Sequence, residues 1–428
     1  MKKFISHSCI FPVVSAGLFL SLLISCKKEA ANSAPTVTLS SVTNITATTA
    51  ATGGNITSDG GSVVTARGVC WSTSSNPTTA ASKTTDGTGP GSFSSSITGL
   101  TPGAIYNIRA YATNAVGTAY SGPTIFSALA STPVLITTPL SLVTITSAAS
   151  GGNIPNDGGA PITARGVCWN TSGSPTTGNS KTTDGTGLGL FTSSMTGLIA
   201  NTTYYVRAYA TNSSGTSYGD EAILRTFTGT LTDFDGNVYY TVTIGTQVWM
   251  AGNLKTIKYS DGTDIPLVTD KATWGALTAP GYCWMNNDKA NYKDTYGALY
   301  NYYVVDPASN GGKNVCPTGW HVPTNNEWTA LTTYLNGEPV AGGKLKESGI
   351  LHWQTPNTAG TNETGFTALP AGGRGYDFIV IGTEASFWTS TEYEAHSAWV
   401  RYITFSNNMA HPQYTGKING NSIGCVKN

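Results

Sequence analysis

The stretch CPTGWHVPTNNEW, residues 316–328, sets Cys316, His321 and Glu327 within a dozen positions. A thiol, an imidazole and a carboxylate are the parts of a nucleophile–base pair or a metal site. The spacing argues against both. No HExxH and no close second histidine accompanies His321, so a metal has weak support and a hydrogen-bonded structural histidine is expected. Pro323 precedes Thr324-Asn325-Asn326-Glu327, a capping box. In it the threonine hydroxyl takes the glutamate's amide and the carboxylate reaches back to the threonine's amide. Trp328, Leu331 and Leu335 then form one apolar stripe, and Gly337 is expected to end the helix. Glu327 thus has a structural job. Two other stretches fail the same kind of test. Asp233, Asp235 and Asn237 mimic the first ligands of a calcium loop, but the twelfth position is Ile244, which offers no oxygen. A hairpin turning at Asp-Gly is predicted there instead. KTTDGTG lacks the GK[ST] ending of a phosphate loop and reads as a turn.

The elements that would carry these residues begin with a leader. Lys2 and Lys3 precede an apolar run from Ile10 to Ile24, fifteen residues. A bilayer span needs roughly 20, so residues 1–25 read as a signal peptide. They end in Leu23-Ile24-Ser25-Cys26, which resembles the bacterial lipobox and implies a diacylglycerol-modified Cys26. Such an anchor holds a protein to a membrane through several acyl chains. Lys27, rather than aspartate, follows the cysteine, a pattern that implies passage to the outer membrane, with the cell surface as the expected location. Residues 26–35 read as a flexible tether. The 428-residue chain carries 23 Lys+Arg against 23 Asp+Glu, so nothing attracts polyanions and nucleic acid is set aside. Charged residues are only 11%, against about 25% in ordinary soluble domains. With 50 glycines and abundant Thr and Ser, the composition reads as a β-rich extracytoplasmic protein.

The chain then repeats itself. ARGVCW at 66 and 164, GGNI at 53 and 151, KTTDGTG at 83 and 181 and RAYATN at 109 and 207 all recur 98 positions apart. That period means tandem domains. Tyr106, Ile108, Ala110 and Ala112 alternate with Asn107, Arg109, Tyr111 and Thr113, as on half-buried strands of a β-sandwich. Leu100 lies six residues before Tyr106, and Leu198 six before Tyr204, a spacing similar to the tyrosine corner. On these residues 36–131 and 132–229 resemble fibronectin type III domains, here expected to serve as spacers. Cys70 and Cys168, one per copy, are expected to be buried thiols near Trp71 and Trp169. Arg67 and Arg165 read as sandwich-face residues.

Composition shifts near Gly229. From Leu231 onward lie eight of ten tryptophans, 14 of 21 tyrosines and three cysteines. Tyr296, Leu299, Tyr300 and Tyr303 fall at helical spacing and predict a short amphipathic helix. Cys425 is the natural partner of Cys316. Cys283 is left over, and three cysteines allow three pairings among which the sequence alone does not choose. A bridge from 316 to 425 closes a loop of about 110 residues, near 4–5 kcal/mol at most by chain entropy.

TDFDGNVYYTVTIGTQVWMAGNLKT, YCWMNND, YGALYNYYVV, CPTGWHVPTNNEW, GGKLKESG, GFTALPAGGRG, FWTSTEY and IGCVKN occur in order through residues 230–428. They resemble successive blocks of the Fibrobacter succinogenes major paralogous domain. The resemblance implies secreted or lipidated proteins of Bacteroidetes type and an α+β architecture like that of C-type lectins. First and last strands pair in that architecture, which suits a Cys316–Cys425 disulfide. The resemblance establishes no activity. HVPTNNEW is also similar to a segment of formylglycine-generating enzymes, which need two carboxyl-terminal cysteines for copper-assisted oxidation. This chain has Cys425 alone there. Calcium-dependent sugar motifs fail too: Glu338-Pro339 is followed by Val340, and His411-Pro412-Gln413 reverses the order. No catalytic residue, metal or cofactor is therefore assigned, and a non-enzymatic recognition module is expected. Trp353, Tyr376, Trp388 and Tyr393, in or beside Gly/Thr/Asn-rich segments, are the candidates for stacking on a glycan or a surface protein. The glycines around Arg374 read as a turn.

Overall fold

The computed structural model describes residues 31–379 and 381–428. The leader over 1–25 and Cys26 lie outside the described residues. The chain divides into two compact units. One spans the described residues up to 127, apart from 46–48 and 100–104. The other takes in those two pieces and 128–428.

In the first unit one antiparallel sheet orders its strands Thr36–Leu39, Thr49–Ser58, Gly91–Thr98. A second sheet pairs Ala66–Ser72 with Ser82–Lys83 on one side and Ile105–Thr113 on the other. Thr118–Tyr120 and Thr124–Ser127 both pair with Ile105–Thr113. Ile108, Ala110 and Ala112 are buried as the alternation predicts. Arg67 lies along the sheet and donates to the carbonyls of Asp86, Gly89 and Pro90. The KTTDGTG turn therefore serves as a cradle for that guanidinium. Asp86 in the same turn accepts the hydroxyls of Thr84 and Ser95.

The second unit opens with a copy of the same sandwich. Val134–Thr137, Ser147–Asn156 and Gly189–Thr196 form one sheet, and Ala164–Asn170 and Thr203–Asn212 are the centre of the other. The Tyr204 hydroxyl accepts the Ile199 amide at 2.9 Å, the bond that the Leu198–Tyr204 spacing predicts. Cys70 and Cys168 are free and buried, each inside its own sandwich. Burial pushes both thiols up to about 11, so they pack as small hydrophobes.

The rest of the second unit is built of antiparallel sheets with short helices. Gly229–Thr232 and Val238–Ile244 form the predicted hairpin, and Asp233 closes its turn by accepting the Asn237 amide and the Tyr239 hydroxyl. A five-stranded sheet runs Gly229–Thr232, Val238–Ile244, Gln247–Ala251, Val426–Lys427, Trp320–His321. The last strand of the chain thus lies between an early strand and the strand that carries His321. Cys316 and Cys425 are joined in a disulfide beside it. A three-stranded sheet orders Glu384–Glu394, Ser397–Thr404 and His411–Gly416. Between the sheets sits an aromatic core in which Trp249, Trp328, Phe366 and Phe387 meet at 4.8–5.9 Å between ring centres.

Two helix expectations need correction. The helix predicted through Tyr303 stops early: it spans Lys289–Tyr296, and Leu299–Tyr300 is a strand pairing with Tyr282–Cys283. Gly297, at φ +73°, turns the chain out of the helix, in a conformation that favours glycine. The capping-box helix spans Asn325–Tyr334 with both reciprocal bonds present. Its terminator is Asn336 rather than Gly337. Asn336 takes the left-handed conformation at φ +75°. Its amide and that of Gly337 reach the Thr333 and Thr332 carbonyls, the Schellman pattern. Lys346, at the end of the next helix, is wholly buried. Its Nζ donates to the carbonyls of Thr358, Thr404 and Asn407 at 2.8–3.0 Å, pinning two loops with one ammonium.

Candidate functional site

His321 and Glu327 do meet. The His321 Nε2 lies 2.9 Å from Glu327 Oε1, and its Nδ1 lies 2.7 Å from Asn428 Oδ1. Both ring nitrogens are therefore committed, one to the capping-box glutamate and one to the last residue. Burial pushes the Glu327 carboxyl up. The amide and hydroxyl of Thr324, with His321, outweigh that and hold it below the ordinary carboxylate range. Cys316, the third member of the opening stretch, has its sulfur in the bridge to Cys425. Cys283 is a free, buried thiol pushed up to about 11 by burial. Among the described residues no three His, Cys, Asp or Glu side chains gather as a metal site would require.

Arg374 is committed through its terminal nitrogens, with its Nε buried and unpartnered among the described residues. It is buried with its guanidinium 4.4 Å from the Trp274 ring centre, and its terminal nitrogens donate to the carbonyls of Val268 and Thr269. The GGRG turn thus carries an internal strut.

Of the four aromatic candidates, two are corrected. Trp388 is buried, its Nε1 donating to the Tyr300 carbonyl at 2.7 Å. Trp353 is buried under Lys346, its Nε1 on the Ala368 carbonyl at 3.0 Å. An indole whose face is packed and whose N–H is paired is core, and neither ring offers a surface. Tyr376 is 60% exposed, though Lys271 Nζ sits 4.2 Å from its ring centre and covers one face. Tyr393 is 44% exposed and does not stand alone. Its ring stacks on that of Tyr414 at 4.1 Å and 12°, and meets Trp399 edge-on at 4.9 Å. Tyr414, itself 52% exposed, is the cross-strand partner of Trp399. The Glu384–Glu394 strand shifts register between Trp388 and Glu392, and the bulged strand brings Tyr393 over that pair. The three rings form a surface ridge at one end of the three-stranded sheet.

Residues 242–427 match the Fibrobacter succinogenes major domain (Fib_succ_major). No curated protein matches the chain. Among solved structures, the crystal structure of chicken CNTN1 FN1-FN3 domains aligns at 16% identity with a TM-score of 0.31, covering 53% of this chain and 77% of that one.

The ridge, the bridge and the His321–Glu327 pair all fall within the matched residues 242–427. Trp399 and Tyr414 were missed in the sequence because their signal is a pairing between two strands, and neither segment contains Gly-rich loop composition. The alternation in SAWVRYIT marks a strand, and the exposed faces become visible only once HPQYTG is placed beside it.

Proposed function

We propose that the protein is a non-catalytic recognition module of the cell envelope, held to the outer membrane by a lipid on Cys26 and displayed on two fibronectin-like spacers. The observation that supports it best is the ridge of Tyr393, Trp399 and Tyr414. Solvent-facing aromatic rings of this kind are an unusual expense of apolar surface for a protein to keep on show, and they suit stacking on a sugar ring or packing in a protein interface. Among the described residues, Cys316 is bridged to Cys425 and His321 and Glu327 hydrogen-bond each other, so these three hold the fold. The disulfide clasp beside the last strand suits a lectin-like scaffold, the finer architecture proposed for residues 230–428, although the last strand pairs with Gln247–Ala251 and Trp320–His321 rather than with the first strand, Gly229–Thr232.

Arrays of glycans and of purified surface proteins, probed with the full chain and with Tyr393→Ala/Tyr414→Ala, test the reading. Binding that falls at least tenfold in the double variant supports it. Binding indifferent to the ridge, or no binding on either array, points to a purely structural surface component. Replacing Cys26 with serine is expected to move the protein from the membrane to the soluble fraction.

A further inference from the structure

We propose that a cavity against the three-stranded sheet, lined in part by the ridge residue Tyr414, holds one neutral sugar unit, through the Glu384 carboxylate and the Asn421 side-chain amide. This rests on the recognition reading and gives it a second point of contact. The cavity has a volume of about 230 Å³. That is below the roughly 300–1,000 Å³ of pockets that enclose a drug-sized ligand, so it suits a single small unit. Its wall comes from all three strands and from the segment 419–421 that runs beside them.

Two groups on that wall point to a ligand. Asn421 is 6% exposed, yet its Nδ2 has no hydrogen-bond partner among the described residues. A buried donor left unmade costs about 1–3 kcal/mol, and a partner within the cavity removes that cost. Glu384 accepts the Tyr402 hydroxyl on Oε2, and a carboxylate has lone pairs to accept further hydrogen bonds. Burial, then that bond and the charge of Glu384, push the Tyr402 hydroxyl well above its ordinary range, so it stays a donor to the carboxylate. One face of the cavity thus gives, another takes, and the amide of the exposed Gln413 does both.

The ligand class follows from that mixture. An anion is disfavoured by Glu384. The other charged residue on the wall, Arg374, has its terminal nitrogens on the carbonyls of Val268 and Thr269, which leaves only its Nε to donate into the cavity beside Asn421. A metal would find one carboxylate and no cluster. An apolar ligand would strand the polar wall. Hydroxyls on a ring each donate and accept, and the ring's C–H face suits Val400 and Ile379, which also line the cavity.

Saturation-transfer NMR on the full chain, with the methyl glycosides of glucose, galactose, mannose and N-acetylglucosamine as probes, tests the site. Binding of at least one glycoside is expected. Glu384→Gln should weaken it at least tenfold, and Gln413→Ala, on the exposed edge strand, at least threefold. The edge variant carries the test if Glu384→Gln does not fold. No glycoside bound, or unchanged binding in both variants, overturns the site. Array binding that depends on Tyr393 while glycosides fail to bind leaves recognition by the ridge standing and removes the cavity from it.

Discussion

At the scale of single residues, the Glu327 carboxylate has two partners, Thr324 and His321: it closes a helix cap, steadies His321 and, through that ring, holds Asn428. Its folded-state pKa lies below the ordinary value of 4.5. The folded state therefore binds fewer protons than the unfolded one just below pH 4.5, and the stability Glu327 contributes is complete above that pH and fades as the folded carboxyl protonates. Glu327→Gln should lose about 1 kcal/mol at pH 7, the usual worth of a cap. Its urea midpoint should fall less than that of the wild type between pH 5 and 3. Equal acid sensitivity in the two proteins would show that the pair contributes nothing. Lys346 runs the other way. Burial draws its ammonium from 10.5 down to about 8, so the unfolded chain binds the extra proton between those values and stability rises with pH there. The gain over Lys346→Met between pH 8 and 10.5 should be at most about 3 kcal/mol at 1.36 kcal/mol per unit. It is a ceiling because the three carbonyls favour the charged form. A pH-independent difference between the two proteins counts against it.

At the scale of elements, the final strand is only Val426–Lys427, yet it bridges Gln247–Ala251 and Trp320–His321. Two residues of backbone pairing cannot hold a chain end alone. The Cys316–Cys425 bridge, spanning 109 positions, keeps the end in place by removing freedom from the unfolded chain. Cys316→Ala/Cys425→Ala should cost about 2–5 kcal/mol and raise amide exchange over residues 320–321 and 425–428. Unchanged exchange there would place the strand's stability elsewhere. What the sequence made legible at this scale was local. Thr324 and Glu327 announce a helix start because both halves of the cap lie within four residues, and Tyr204 announces its corner by its distance from Leu198. The helical spacing through Tyr303 does not carry the helix that far because Gly297, at φ +73°, ends it. Trp353 and Trp388 sit beside Gly/Thr-rich segments that suggest loops, but long-range packing buries them, and packing partners such as Ala368 and Tyr300 leave no mark near either tryptophan.

At the scale of the whole molecule, the second sandwich turns out to be more than a spacer from its neighbour in the second unit. Only Thr226, Phe227 and Thr228 separate its last strand, Ala222–Arg225, from the strand Gly229–Thr232. Thr226 and Phe227 are buried, so the connection has no slack. Phe227 stacks on Tyr240 at 4.5 Å and 10°, Arg225 donates to the Thr243 carbonyl at 3.1 Å, and Val143 and Ile145 pack against the aromatic core. A sandwich fastened in this way lends stability to the domain that bears the ridge and fixes the direction in which the ridge is presented. Deleting a buried phenylalanine costs about 3–5 kcal/mol in a closed core; at this seam the same loss falls on the coupling between two lobes. The wild-type second unit is therefore expected to melt in a single calorimetric transition. Phe227→Ala is expected to split it in two, the lower one from the lobe holding residues 230–428, with new proteolytic cuts between 225 and 229. A variant that still melts in one transition at the wild-type temperature would mean that the sandwich is an independent bead after all, and that the ridge is aimed by nothing beyond its own domain.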